Sequence, residues 1–186
     1  MPVNPFSAYA QEFPKYEFFG GGTFARLGGA NWFGYDISGA KNLNRFLGIA
    51  VDVGRFDWSD TQKGSGLTWN QKRHIYTFWA GPRVTSRDAG KLAPFLHLML
   101  GVARNHYSYR ETLGTLVFAD AMTDTRSAMM FGGGIDVRLK GPLAVRAIQA
   151  DYTGLRMPGS TFAPALWEKG LRLSFGLNLR LGSAPQ

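Results

Sequence analysis

The segment from Leu171 to Leu181 constrains the fold more than any other part of the sequence. Its odd-numbered positions are all leucine or phenylalanine, and its even-numbered positions are Arg, Ser, Gly, Asn and Arg. On a helix, every second residue is turned by about 200°, so these apolar side chains would scatter around the axis. On a strand they all lie on one face, and the two arginines lie on the other.

The length and the two faces of this segment predict a strand that crosses a bilayer. A tilted strand needs about ten residues to span the hydrocarbon core. A packed soluble core would not accept unpaired arginines. We therefore predict a transmembrane β-barrel with a polar interior, whose lipid-facing residues in this strand are Leu171, Leu173, Phe175, Leu177, Leu179 and Leu181.

Composition agrees with one all-β domain. The chain has 186 residues, 24 glycines and 14% aromatic residues, which suits many short strands joined by glycine-containing turns. It has no cysteine, which excludes disulfides and thiolate metal sites. The net charge is +8. The lysines and arginines are spread along the chain and do not form the basic run of a nucleic-acid site. We expect outer-membrane lipid and lipopolysaccharide as partners, and no nucleic acid.

The sequence offers no segment for a membrane helix. Its most apolar window, residues 92–103, is too short and contains His97. The first ten residues lack the apolar core of a signal peptide, although Ala8-Tyr9-Ala10 fits a small-x-small cleavage pattern. We therefore expect a lead-in at 1–12 that is a signal-peptide remnant up to Ala10, a barrel at 13–182 and a tail at 183–186.

Alternating side chains predict eight strands, and the connections between them alternate in length. The predicted strands are 16–26, 32–41, 47–54, 73–84, 92–104, 128–139, 143–153 and 171–181. Pro82 in the fourth strand is expected at a bulge, and a break in alternation at Arg146-Ala147 predicts a bulge in the seventh. Tight turns at 42–45, 87–90 and 140–142 follow the even-numbered strands up to the sixth. Longer connections at 57–70, 105–125 and 154–168 follow strands three, five and seven. Short turns at one end and long loops at the other are typical of an eight-stranded antiparallel up-and-down transmembrane barrel.

Several of these strands resemble a known family. The segments concerned are Phe13-Pro14-Lys15-Tyr16-Glu17-Phe18-Phe19-Gly20-Gly21, the run from His74 to Arg83, Ala93-Pro94-Phe95, and the run from Ala147 to Tyr152. They are similar to strands of small outer-membrane β-barrel proteins of the OmpA/OmpX-like superfamily. The resemblance implies an integral protein of the bacterial outer membrane with both termini in the periplasm, long loops outside, and folding by the barrel-assembly machinery. The chain ends its last strand in Leu181-Gly182, where the family usually has a terminal aromatic residue.

Charged residues on the polar faces predict the content of the barrel. An eight-stranded barrel is just wide enough for its interior to be filled by side chains, and we expect Phe19, Trp79, Phe95 and Met99 to lie there beside the charges. Opposed charges there must pair, because isolated buried charge costs several kcal/mol. We expect a salt-bridged interior, with a gated proton or ion path as the alternative. The predicted network consists of Glu17, Asp36, Asp52, Asp136, Arg138, Asp151, Arg172 and Arg180.

The expected function is non-enzymatic, with a structural or surface-binding role and any specificity in the three long loops. One alternative is a lipid hydrolase of the lipid A deacylase type, in which His106 would activate the Ser108 hydroxyl. A small ion-conducting pore and a soluble lipocalin-like carrier, with its apolar face inward, are further alternatives. The sequence predicts no cofactor, and no histidine or carboxylate pair has metal-ligand spacing.

Overall fold

The computed structural model describes residues 13–64, 67–87, 90–113, 115–157 and 166–184. Every regular element in these ranges is a β-strand. The strands are β1 (Phe13–Leu27), β2 (Ala30–Asn42), β3 (Leu47–Gly64), β4 (Leu67–Thr85), β5 (Leu92–Leu113), β6 (Leu116–Arg138), β7 (Leu143–Met157) and β8 (Leu166–Ala184). The described residues include no helix long and apolar enough to cross a membrane.

Each strand pairs antiparallel with the next, and β1 pairs with β8, so the sheet closes on itself. The predicted eight-stranded up-and-down barrel is confirmed. The last strand continues to Ala184, which pairs with Phe13. The predicted lead-in and the Ala8-Tyr9-Ala10 motif lie outside the described residues.

The three tight turns lie together at one end of the barrel, as predicted. They join β2 to β3, β4 to β5 and β6 to β7. Gly90 and Gly141 have φ values of 63° and 67°, a left-handed conformation that disfavours residues with a Cβ. We call this end the turn end and the opposite end the hairpin end.

Two of the predicted long loops are strands instead. β3 and β4 remain paired as far as Gly64 and Leu67, and β5 and β6 as far as Leu113 and Leu116. The described residues of segments 57–70 and 105–125 are therefore extensions of the barrel strands. Their sequences alternate poorly because neither face of the extension is packed against a core. The third predicted loop, 154–168, is strand at both ends, and residues 158–165 lie outside the described residues.

The predicted bulge in β7 is confirmed. Register shifts occur between Ile135 and Asp136 on β6, and between Arg146 and Gln149 on β7 and its β8 partners. The extra residue returns the Arg146 side chain to the interior, where it is 2% exposed. A β-bulge thereby adds a cation to the interior that simple alternation from Ile148 would place outside.

Burial in this barrel is the inverse of burial in a soluble protein. Aspartate and arginine side chains fill the inside, while many leucine, isoleucine, valine and phenylalanine side chains lie exposed on the outside. The soluble lipocalin-like alternative is wrong, because it requires the apolar face to line the interior. We call the outward apolar zone of the barrel strands the apolar belt.

Candidate functional site

The predicted lipid-facing residues of β8 all point outward and form part of the apolar belt. Phe175 and Leu177 are 64% and 60% exposed, whereas Leu173 is half-buried. Asn178, next to Leu177, is fully buried inside the barrel. Neighbouring residues of one strand thus lie in opposite environments.

A first cluster of charges fills the turn end of the interior. The Glu17 carboxylate forms ion pairs with Arg83 at 3.2 Å and with Arg87 at 2.7 Å. Asp136 lies 3.1 Å from Arg83 and 2.8 Å from Arg146. Two carboxylates and three guanidinium groups therefore neutralise most of one another's charge.

A second cluster, centred on Arg172, fills the middle of the interior. The guanidinium contacts Asp52 at 2.9 Å and Asp151 at 2.8 Å, with Asp36 at 3.6 Å. His97 joins it, because its Nε2 lies 2.8 Å from the Asp151 carboxylate. Three carboxylates thus share one arginine and one histidine.

Neutral side chains complete the hydrogen bonding of both clusters. The Asn178 amide donates to Asp136 at 2.8 Å, and that of Asn42 donates to Glu17 at 2.9 Å. Gln149 accepts from Arg146 at 2.7 Å and donates to Asp151 at 2.6 Å. It therefore links the two clusters into one network.

The structure brings together six of the eight residues predicted for this network: Glu17, Asp36, Asp52, Asp136, Asp151 and Arg172. Arg138 and Arg180 are half-buried near the turn end, where Arg180 pairs through its backbone register with Glu17. Arg138 donates to the backbone oxygen of Arg87 at 2.9 Å. Among the described residues, no carboxylate lies within ion-pair distance of Arg180.

The sequence interpretation missed Arg83, Arg87 and Arg146 as interior cations. The sequence does contain a signal for Arg83 and Arg87. Thr77 and Trp79 point inward, and the alternation of side chains along β4 and just beyond it places Arg83 and Arg87 on the same inward face. This alternation was obscured because Arg87 was assigned to a turn and Pro82 to a bulge.

An apolar layer closes the hairpin end of the interior. It includes Trp32, Phe56, Ile75, Trp79 and Leu155, all buried. The space left between this layer and Arg172 is about 30 Å³, which is room for about one water molecule. Trp32 lies inside the barrel at 2% exposure, although its place near a strand end is typical of interfacial aromatic girdles.

Beyond this layer, four strands continue past the rest of the barrel. Pairing of β2 with β3 ends at Phe33 and Asp57, and pairing of β6 with β7 ends at Ala128 and Leu155. The continuing residues form a four-stranded extension, which we call the protruding sheet. It comprises residues 58–64, 67–73, 107–113 and 116–127.

The protruding sheet has two open edges within the described part of the chain. Residues 58–64 of β3 pair only with β4, and residues 116–127 of β6 pair only with β5. The β6 edge exposes Val117, Phe118 and Met122. Unpaired backbone groups on such an edge are a template for another strand.

A polar groove of about 540 Å³ lies on the outward face of this sheet. Its lining residues are Asn70, Lys72, Ser108, Tyr109, Arg110, Ala119, Asp120 and Ala121. The Tyr109 hydroxyl donates to Glu111, which raises the pKa of Tyr109 and keeps the phenol a neutral donor. Small side chains on β6 form the floor of the groove, and Lys72 and Arg110 supply cations.

Ser108 lies on the protruding part of β5 and His106 directly before it, but they do not form a catalytic pair in this structure. The His106 Nδ1 lies 2.9 Å from the Thr123 hydroxyl, and the Ser108 hydroxyl donates to the Lys72 backbone oxygen at 3.5 Å. Activation of a serine requires a direct hydrogen bond to the histidine. Within the described ranges, no cluster of three or more His, Asp or Glu side chains could hold a metal ion.

The geometry defines the class of the fold as a small eight-stranded β-barrel with a polar interior. No protein-family profile matches the sequence, and no curated protein is similar to it. Solved structures do match. Neisserial surface protein A has a TM-score of 0.60 and 16% identity, over 90% of this chain and 97% of the other.

Two further solved structures match this chain over nearly the whole length of their own chains. The attachment invasion locus protein Ail of Yersinia pestis has a TM-score of 0.55 and 14% identity, over 90% of this chain and 99% of the other. A major outer membrane protein from Thermus thermophilus has a TM-score of 0.56 and 13% identity, over 89% and 99%. The chain therefore has the fold of small outer-membrane barrels, in agreement with its resemblance to OmpA/OmpX-like proteins.

Proposed function

We propose that this chain is a non-enzymatic, integral protein of the bacterial outer membrane whose protruding sheet is a binding surface for extracellular partners. The apolar belt is the observation that carries the membrane assignment. Burying large apolar side chains stabilises a protein by about 25 cal/mol per Å², and a bilayer can cover such a belt around the whole barrel. Its solved neighbours include proteins described as outer-membrane, surface and attachment proteins.

The protruding sheet supports the binding role. It projects from the hairpin end, where long connections of outer-membrane barrels face the outside. Its open β6 edge can pair with an extended segment of a partner, which supplies affinity through main-chain hydrogen bonds. The adjacent groove supplies side-chain contacts from Lys72, Arg110 and Asp120.

Membrane integration is tested by extraction and gel migration. The protein should need detergent for extraction and should migrate faster before boiling than after, because a folded barrel resists unfolding by detergent. A protein that is soluble without detergent would overturn the membrane assignment.

The binding role is tested by removal of the sheet alone. Residues 60–71 and 109–120 are each replaced by a two-residue Asn-Gly turn, which favours a tight hairpin. Cells displaying the intact and shortened proteins are compared for adhesion to immobilised heparin and matrix protein, the first because Ail has been crystallised with a heparin analogue. We expect adhesion only with the intact sheet, at equal amounts of heat-modifiable barrel. Equal adhesion, or none with either protein, would contradict the binding role.

A further inference from the structure

Outward-facing cations border the apolar belt at the hairpin end. Arg26, Arg156 and Lys169 lie on the adjacent strands β1, β7 and β8, and all three are exposed. Their registers place them together, since Arg26 pairs with Leu171, Lys169 with Gly154 and Arg156 with Trp167. Within the described part of the chain, none of the three takes part in an ion pair.

On the other side of the barrel, an outward-facing cation near the hairpin end is already paired. Arg55 on β3 lies 3.1 Å from Asp57, which also contacts His74. The cation there already has an anion of the same chain. The positive charge on β1, β7 and β8 has no such partner among the described residues.

An apolar groove begins directly beside these cations. It has a volume of about 230 Å³ and includes Met129, Phe131, Tyr152, Trp167 and Lys169 in its lining. Gly154 forms its floor, because an added Cβ would lie 3.2 Å from the Trp167 ring and 3.4 Å from Met129. The groove thus runs from a cation into the apolar belt.

A second groove continues along β6 toward the turn end. It has a volume of about 580 Å³, and its lining includes Leu96, Ile135 and Ile148 with the small residues Gly133 and Ala150. The outward residues Phe131 and Gly133 follow each other along β6, so the two grooves are successive. A linear hydrocarbon chain that lay along β6 would contact both grooves.

We propose that this surface is a specific site for the lipid A part of lipopolysaccharide, with its phosphates on Arg26, Arg156 and Lys169 and an acyl chain in the two grooves. Charge complementarity selects a lipid with more than one phosphate, because the three cations are spread over three strands. Guanidinium groups bind phosphate through paired N–H donors, and the lysine adds a point charge. This site rests on the proposed membrane location and orientation.

Binding of purified Kdo2-lipid A to the refolded full chain in zwitterionic detergent tests the site, with native mass spectrometry as the readout. Wild-type protein should bind one molecule saturably and should prefer it to phosphatidylglycerol. The double variant Arg156→Gln/Lys169→Gln should bind about tenfold more weakly or worse, since each cation near a membrane surface contributes appreciably to anionic-lipid binding. Ala150→Phe should also weaken binding, because it fills the second groove from the outside.

Two matched controls separate a site from general attraction. Lys41→Gln/Arg104→Gln removes the same charge from β2 and β5, where both side chains are exposed, and Val53→Phe enlarges an exposed belt residue of β3 that lines neither groove. Both should keep wild-type affinity within about twofold. Heat-modifiable migration of every variant shows that the barrel is folded, so loss of the lipid site is distinct from failure of the membrane assignment. Equal weakening in the charge control, unchanged binding in either test variant, or equal affinity for phosphatidylglycerol would overturn the proposal.

Discussion

Arg172 illustrates how single residues define the interior. Its guanidinium is 1% exposed and contacts Asp52 and Asp151 directly. The strict alternation of β8 predicts its inward direction without any structure. Its partners could not be assigned from sequence, because they come from β3 and β7 and depend on register and tilt.

Replacement of Arg172 should destabilise the barrel strongly. Arg172→Met leaves three buried carboxylates without their shared cation, and breaking a buried pair typically costs about 3–5 kcal/mol. Urea unfolding in lipid vesicles measures the change. Arg180→Met, on the same strand, is the control and should cost less than about 1 kcal/mol, because Arg180 is half-buried and no carboxylate of the described residues lies within ion-pair distance of it. Equal losses would show that the ion network does not stabilise the interior.

Leu177 gives the corresponding test for the outer face. Leu177→Arg should lower the free energy of unfolding in vesicles by about 2–4 kcal/mol, the usual cost of arginine on the lipid face near the midplane. The control is Met122→Arg, which changes an exposed apolar residue of the protruding sheet and should cost almost nothing. A similar cost at both positions would argue that the belt has no special contact with lipid.

At the scale of elements, the sequence predicts those strands whose two faces differ in polarity. Leu47 to Val53 on β3 and Leu171 to Leu181 on β8 alternate cleanly because lipid and a polar interior lie on opposite sides. The protruding sheet has a similar environment on both faces, so its strands show no such pattern and were interpreted as loops. The bulge at Arg146 is visible in the sequence as a break in the alternation of apolar and polar residues. The register of the neighbouring strands cannot be read from the sequence in this way.

The protruding sheet should exchange its amide hydrogens much faster than the barrel. Its β6 edge has one paired neighbour among the described residues, and local opening there requires little loss of packing. Hydrogen exchange in nanodiscs should show peptides from 116–127 exchanging at least about a hundredfold faster than peptides from 129–137 of the same strand. Equal protection of the two halves of β6 would mean that the edge is covered.

At the scale of the whole molecule, the filled interior predicts the absence of a steady pore. The charged clusters occupy the turn end and the middle, and Trp32, Trp79 and Phe56 close the hairpin end. The sequence predicted a filled barrel from the strand number, and it placed Phe19, Phe95 and Met99 inside, where they are buried. It did not predict that the apolar layer collects at one end, because that depends on the tilt that aligns different strands.

Planar bilayers containing the purified barrel should therefore show no large, stable conductance steps. An eight-stranded barrel with side chains in its interior leaves no continuous aqueous path. A variant with Trp79→Ala and Arg172→Ala, if it folds, should conduct more than the wild type. Large steady currents through the wild-type protein would favour the pore alternative.

Spin labels at single cysteines test most directly whether the apolar belt lies in lipid. The chain has no cysteine, so each label reports one position. Labels at Leu100, Phe131 and Leu177 of the belt are compared with labels at Val117 and Met122 of the protruding sheet, all of them exposed apolar residues. In reconstituted bilayers, we expect the belt labels to be accessible to oxygen and shielded from a water-soluble nickel complex, and the sheet labels to show the opposite. High accessibility of the belt labels to the nickel complex would contradict the membrane-spanning barrel.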